Sequence, residues 1–155
     1  SRRYGMRNDI EAAKKHAGMA IELYPRSPFA YAIRAGLYGS TGNRYQALAD
    51  YTRAIDLDPA EPKFHRQRAF AYLSTRHLNQ ALDDVNRSIE LRPDDPKAYE
   101  LRAMVHVDQR APVEARRDVE KCRELGGDPP TDLMRRLRYL EGETGNEEDA
   151  DEAGP

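Results

Sequence analysis

With 155 residues, of which 39% are hydrophobic and 34% charged, the chain can assemble only a thin, well-solvated core, although a globule of this length removes roughly 68–70% of its unfolded surface from water. No run approaches the ~18 apolar residues of a membrane span, and the opening SRRYGMRNDI lacks the apolar stretch of a secretory signal, so neither feature is expected and the reading is cytoplasmic. The single cysteine, Cys122, excludes an internal disulfide and a cysteine-built metal site, and a net charge of −2 speaks against a nucleic-acid binder.

A period of 34 residues organises the chain. Pro25, Pro59 and Pro93 close the phrases AIELYP, AIDLDP and SIELRP, and one further step reaches Gly127 in CRELGG. A helix-ending signal returning at a fixed interval marks a helical array whose units bury their faces against neighbours. In chain order, residues 1–27 form a partial repeat: 1–7 hold the back half of a first helix, with Tyr4 in an aromatic slot, and AAKKHAGMAIELYP completes a second helix. Full two-helix repeats follow at 28–61, 62–95 and 96–129. Their first helices carry Tyr31, Ala35, Tyr38; His65, Ala69, Tyr72; and Tyr99, Ala103, His106, a spacing that puts each trio on one helical stripe. Their second helices carry Ala47, Tyr51, Ala54; Ala81, Val85, Ser88; and Ala115, Val119, Cys122, where small residues allow close helix approach. Thr41-Gly42-Asn43 and Pro112 announce the break between helices in the first and third repeats, while Arg76-His77-Leu78-Asn79 is a weaker signal in the second. Residues 130–142, with Leu133, Leu137 and Leu140 on one side, are predicted to be a capping helix. Residues 143–155 hold six acids and no base, a solvated acidic tail whose removal leaves the rest of the chain at +4.

The stretch AYAIRAGLYGSTGNRYQALADYTRAIDLDP resembles the tetratricopeptide repeat, through Tyr31, Ala35, Tyr38, Gly42, Tyr45, Ala47, Tyr51, Ala54 and Pro59, and the likeness covers roughly residues 4–140. Departures are His65 and His106 in aromatic slots and Gly126-Gly127 in place of a closing proline. The resemblance implies an all-α fold, a right-handed α-solenoid with a C-terminal capping helix. It implies also that the first helices line a concave groove for a peptide or partner protein.

Catalytic and metal chemistry find little support in the residues. Cys122 and His106 occupy repeat core positions, the four histidines are too dispersed for a helical metal pair, and the glycines neither follow a strand nor precede a lysine as a phosphate loop requires. The chain is therefore expected to be non-enzymatic, with no cofactor and no metal. Arginine recurs at the seventh position of each repeat (Arg34, Arg68, Arg102) and aspartate at the twenty-third (Asp50, Asp84, Asp118), which predicts an ion pair across each hairpin rather than an anion site.

Function is expected in the groove that the resemblance implies. Its candidate peptide-binding residues are Phe29, Lys63, Arg66, Gln67, Phe70, Lys97, Leu101 and Met104, joined by Arg135 and Arg138 of the terminal helix. Cations beside exposed Phe70, Leu101 and Met104 suit an acidic peptide with apolar anchors. The carboxylate clamp of the family's co-chaperones is not expected: Ala32 and Gly36 replace its first lysine and asparagine, Gln67 stands for the next asparagine, Lys97 is kept and Leu101 replaces the arginine. A protein-interaction scaffold or adaptor is the reading, without nucleic acid or membrane. Its alternatives are a self-assembly module joined through residues 1–30, where the half-helix leaves Ala13, Ala17, Ala20 and Ile21 uncovered, and an accessory domain of a larger enzyme.

Overall fold

The computed structural model describes the backbone of residues 2–151 and the side chains of residues 9–142. Within these residues the chain is all helix and loop, with eight helices: α1 (Arg2–Leu23), α2 (Pro28–Ser40), α3 (Arg44–Leu57), α4 (Pro62–Ser74), α5 (Leu78–Leu91), α6 (Pro96–Asp108), α7 (Pro112–Glu124) and α8 (Thr131–Asp151). They fall into two compact units, residues 1–91 and 92–155. No described helix is long and apolar enough to cross a membrane.

Local chemistry fixes the helix starts. Ser27, Glu61 and Asp95 sit just before Pro28, Pro62 and Pro96, and each side chain accepts a hydrogen bond from a first-turn amide, Ala30, Lys63 and Lys97 respectively. A capping acceptor followed by proline at the first helical position satisfies an orphan donor and presets φ. The helix ends follow the same period. Gly42, Arg76 and Arg110 all take the left-handed conformation, at φ 79°, 64° and 58°. Only the first has the residue that adopts it freely, which explains why the second break is faint in the sequence.

In the first unit α2 pairs with α3 and α4 with α5, while α1 lies along α2 and α3 along α4. The core joins Ala32, Ala35, Ala47, Tyr51, Ala54, Ile55, Phe64 and Ala71. Two expectations change here. The predicted break near residue 7 is absent, because α1 is one helix from Arg2 to Leu23 and no proline or left-handed glycine interrupts it. The stripe read as uncovered is also packed: Ala17 is buried, and Ala13, Ala20 and Ile21 are half-buried, where α1 meets α2. The slot assigned to Tyr4 lies outside the described side chains.

In the second unit α6 pairs with α7, and α8 contacts both. Leu133, Leu137 and Leu140 join Ala103, Val107, Ala115 and Val119 in its core. Arg116 holds Glu141 with two hydrogen bonds, of 2.8 and 2.5 Å, and Arg136 bonds Asp108, so α8 is tied down by charge as well as by leucines. The backbone of α8 continues past Gly142 to Asp151, into the stretch read as a solvated tail. Glutamate and alanine favour helix, and no proline lies between Thr131 and Asp151 to stop it.

Candidate functional site

Each repeat carries the predicted ion pair as a two-pronged bridge. Arg34 donates to Asp50 at 2.7 and 2.8 Å, Arg68 to Asp84 at 2.7 and 2.8 Å, and Arg102 to Asp118 at 2.8 and 2.7 Å. All three aspartates are buried, and Arg68 donates also to the Thr52 hydroxyl at 3.1 Å. The carboxylate hydrogen bonds raise the guanidinium pKa of all three arginines against the opposing pull of burial. Burial alone would push the Asp84 carboxyl upward; the Arg68 hydrogen bonds outweigh it and hold the group below its ordinary value. Arginines so committed are structural, and none is available to a ligand's anion.

Aromatic rings bracket the bridges. Arg34 lies over both Tyr31 and Tyr38, Arg68 over Tyr72 and Arg102 over Tyr99. The histidines take the remaining slots. His65 Nε2 is 2.9 Å from the Pro59 carbonyl, the position that the Tyr31 and Tyr99 hydroxyls take toward Pro25 and Pro93. A carbonyl only accepts, so Nε2 carries the proton and Nδ1 faces Asp84 at 3.7 Å, too long for a full hydrogen bond. The closing prolines thus offer acceptors to the next repeat's first helix, a link the period alone does not show. Among the described residues, no three His, Cys, Asp or Glu side chains come together as a metal site.

In the first unit, Phe29 and Phe70 are exposed at 55% and 58%. Lys63 is exposed, while Arg66 and Gln67 are half-buried. Phe29 is not free-standing, since its ring meets that of buried Phe64 edge-on at 5.3 Å. A hollow of 490 Å³ opens between α2, α3 and α4, floored by Ala47 and Tyr51 and walled by Gln67, Phe70 and Ala71, with Gly36, Gly39 and Ser40 on one side and Arg44 at its edge. This feature was only partly legible. Gln67 and Phe70 are groove candidates of the sequence, but that α3 would supply the floor followed from packing alone.

In the second unit, Lys97, Arg135 and Arg138 are exposed and Met104 is half-buried. Leu101 differs from expectation: it is only 5% exposed. The reason is that α6 buries Ala98, Tyr99, Leu101, Ala103, Val105 and Val107, apolar positions spread over most of its circumference, as a helix enclosed on several sides does. Leu101 is core. Arg135 pairs with Asp132 one turn earlier at 2.5 Å, an exposed pair of little energetic weight.

A family profile described as tetratricopeptide repeat matches residues 30–61. Among solved structures, the first TPR domain of human RPAP3 superposes with a TM-score of 0.70 at 25% identity, covering 81% of this chain and 98% of that one. The first TPR of Spaghetti (RPAP3), solved bound to the HSP90 peptide SRMEEVD, also gives a TM-score of 0.70 at 25% identity, over 77% of this chain and 94% of that one. MamA gives 0.78 over 97% of this chain and 82% of that one, at 15% identity, a likeness of fold alone. No curated protein matches the sequence significantly.

Proposed function

Since the chain belongs to the tetratricopeptide-repeat family, we propose that it is a non-enzymatic scaffold whose first unit receives an acidic peptide of a partner protein on the face formed by α2 and α4. The observation that carries this reading is the open hollow between α2, α3 and α4, beside exposed Phe70 and Lys63. A concave apolar site with a few polar groups at its edge is the usual form of a recognition pocket, and cations nearby favour an acidic segment. The RPAP3 domain bound to SRMEEVD supports a peptide as ligand. Lys97, Arg135 and Arg138 are proposed as an acid-attracting surface of the second unit.

Charge reversal tests it. Lys63→Glu with Arg66→Glu should weaken capture of acidic partner peptides about tenfold or more at low salt and less at high salt. Equal binding by wild type and the double variant would refute the acidic partner.

Self-association is a second reading that one observation favours. Met19, Leu23 and Tyr24 are 49%, 71% and 69% exposed, and a 540 Å³ depression is lined by Leu23, Tyr24, Pro25, Arg26 and Ser27. Contiguous exposed apolar side chains tend to find partners. Light scattering over a concentration series, repeated with Leu23→Glu, separates it from the first: a mass constant with concentration and unaffected by the substitution removes it.

A further inference from the structure

The hollow of the first unit differs from a charge clamp in what it lacks. Ala32 is buried and Gly36 bears no side chain, so α2 offers no cation or amide to a ligand there. A β-carbon built at Gly36 would stand 3.6 Å from the Tyr51 hydroxyl, and one at Gly39 would meet nothing within 4 Å. The missing side chains leave the backbone of α2 bare along one wall, a surface against which a flat ring can lie, while Phe70 offers a second ring on the opposite wall.

One polar group on the floor of the hollow adds a requirement. The hydroxyl of buried Tyr51, 3.6 Å from where a β-carbon at Gly36 would stand, makes no hydrogen bond to a described residue, and burial pushes its pKa up, so it stays a neutral O–H. A ligand hydroxyl placed against it supplies the hydrogen bond that water would otherwise make there. An amphipathic ring with one hydroxyl satisfies the apolar walls and this group at once, since a phenol both donates and accepts. At the edge, Arg44 makes no ion pair with any described residue, and a carboxylate next to the ring in sequence would reach it.

We infer that the hollow between α2, α3 and α4 is an anchor site for a tyrosine side chain flanked by an acidic residue in the partner peptide. This rests on the peptide-binding reading above and deepens it. Recognition then comes from an internal side chain, and the partner's C-terminal carboxylate is not needed. The 490 Å³ of the hollow exceeds one ring and leaves room for the backbone on either side.

The test uses the full chain and labelled acidic peptides identical except at one central position, Tyr, Phe or Leu, each as a C-terminal acid and as an amide, read by fluorescence anisotropy. The Tyr peptide should bind about three- to tenfold tighter than Phe, the range of one recovered hydrogen bond, and Leu should be weaker than Phe. Amidation should change nothing. Tyr51→Phe should erase the advantage of Tyr over Phe. Gly39→Phe, which fills the hollow from a position open to solvent, should reduce Tyr, Phe and Leu peptides to one weak affinity while the helical circular-dichroism signal is kept. If acidic peptides bind but Tyr, Phe and Leu are equal, or Gly39→Phe leaves them unchanged, the anchor inference falls and the scaffold reading stands. If affinity instead follows the free carboxylate, the anchor inference falls to an end-recognition mode. If no peptide binds at millimolar concentration, both readings fall.

Discussion

Removing Arg68 strands a carboxylate. Asp84 is 6% exposed, accepts both prongs of the guanidinium at 2.7 and 2.8 Å, and otherwise has only His65 at 3.7 Å. Arg68→Met keeps the aliphatic stem and deletes the charge, so the loss should approach the ~3–5 kcal/mol typical of breaking a buried pair from one side. At about 2–4 °C per kcal/mol for a chain of this size, the melting temperature should fall by roughly 6–20 °C. Asp84→Leu should cost less, about 2–3 kcal/mol, because Arg68 keeps Thr52 and its long side chain can turn toward water. The double variant Arg68→Met/Asp84→Leu should lie within about 1–2 kcal/mol of wild type, well short of the sum. Acid adds a sign. Asp84 is held below its ordinary value, so its contribution is complete above the unfolded carboxyl pKa of about 3.9 and is lost as pH falls through the lower folded value. The gap between wild type and Arg68→Met should therefore narrow between pH 7 and pH 3. Urea unfolding followed by circular dichroism measures all of this. Additive single losses, or a gap that widens in acid, would refute the reasoning.

Gly127→Ala should destabilise by about 1–3 kcal/mol, because its β-carbon would stand 2.5 Å from Cys122 Sγ and 2.8 Å from Pro96 Cβ, whereas Gly36→Ala, in ordinary contact at 3.6 Å, should stabilise α2 by about 0.5–1 kcal/mol; the same urea titrations compare them. Arg76→Gly should relieve the left-handed backbone at φ 64° and raise stability by roughly 0.5–1 kcal/mol, and a lower midpoint would mean that the arginine's own contacts outweigh the strain. Cys122 is fully buried and burial raises its thiol pKa, so alkylation by iodoacetamide, followed by mass spectrometry, should proceed in urea and be at least about tenfold slower in buffer.

The 34-residue spacing and the amphipathic stripes determine the helices, because hydrophobic periodicity and turn chemistry are local properties that each repeat states again. The Arg–Asp bridges were legible for the same reason: the two residues recur together at fixed positions of one hairpin, and a hairpin's geometry is nearly constant. Tertiary structure decided what depends on neighbours. Leu101 has the same letter whether it faces a groove or a core, and only the enclosure of α6 makes it core. Arg76 and Arg110 carry no turn signal, yet the hairpin they must close forces φ positive at both. The Pro25, Pro59 and Pro93 carbonyls became acceptors for Tyr31, His65 and Tyr99 only when consecutive repeats met. The hollow is the strongest case. Gly36 and Gly39 read as helix weakeners by propensity, because a sequence reports the side chain a position lacks but not the space left by its absence, which exists only once α3 and α4 wall it.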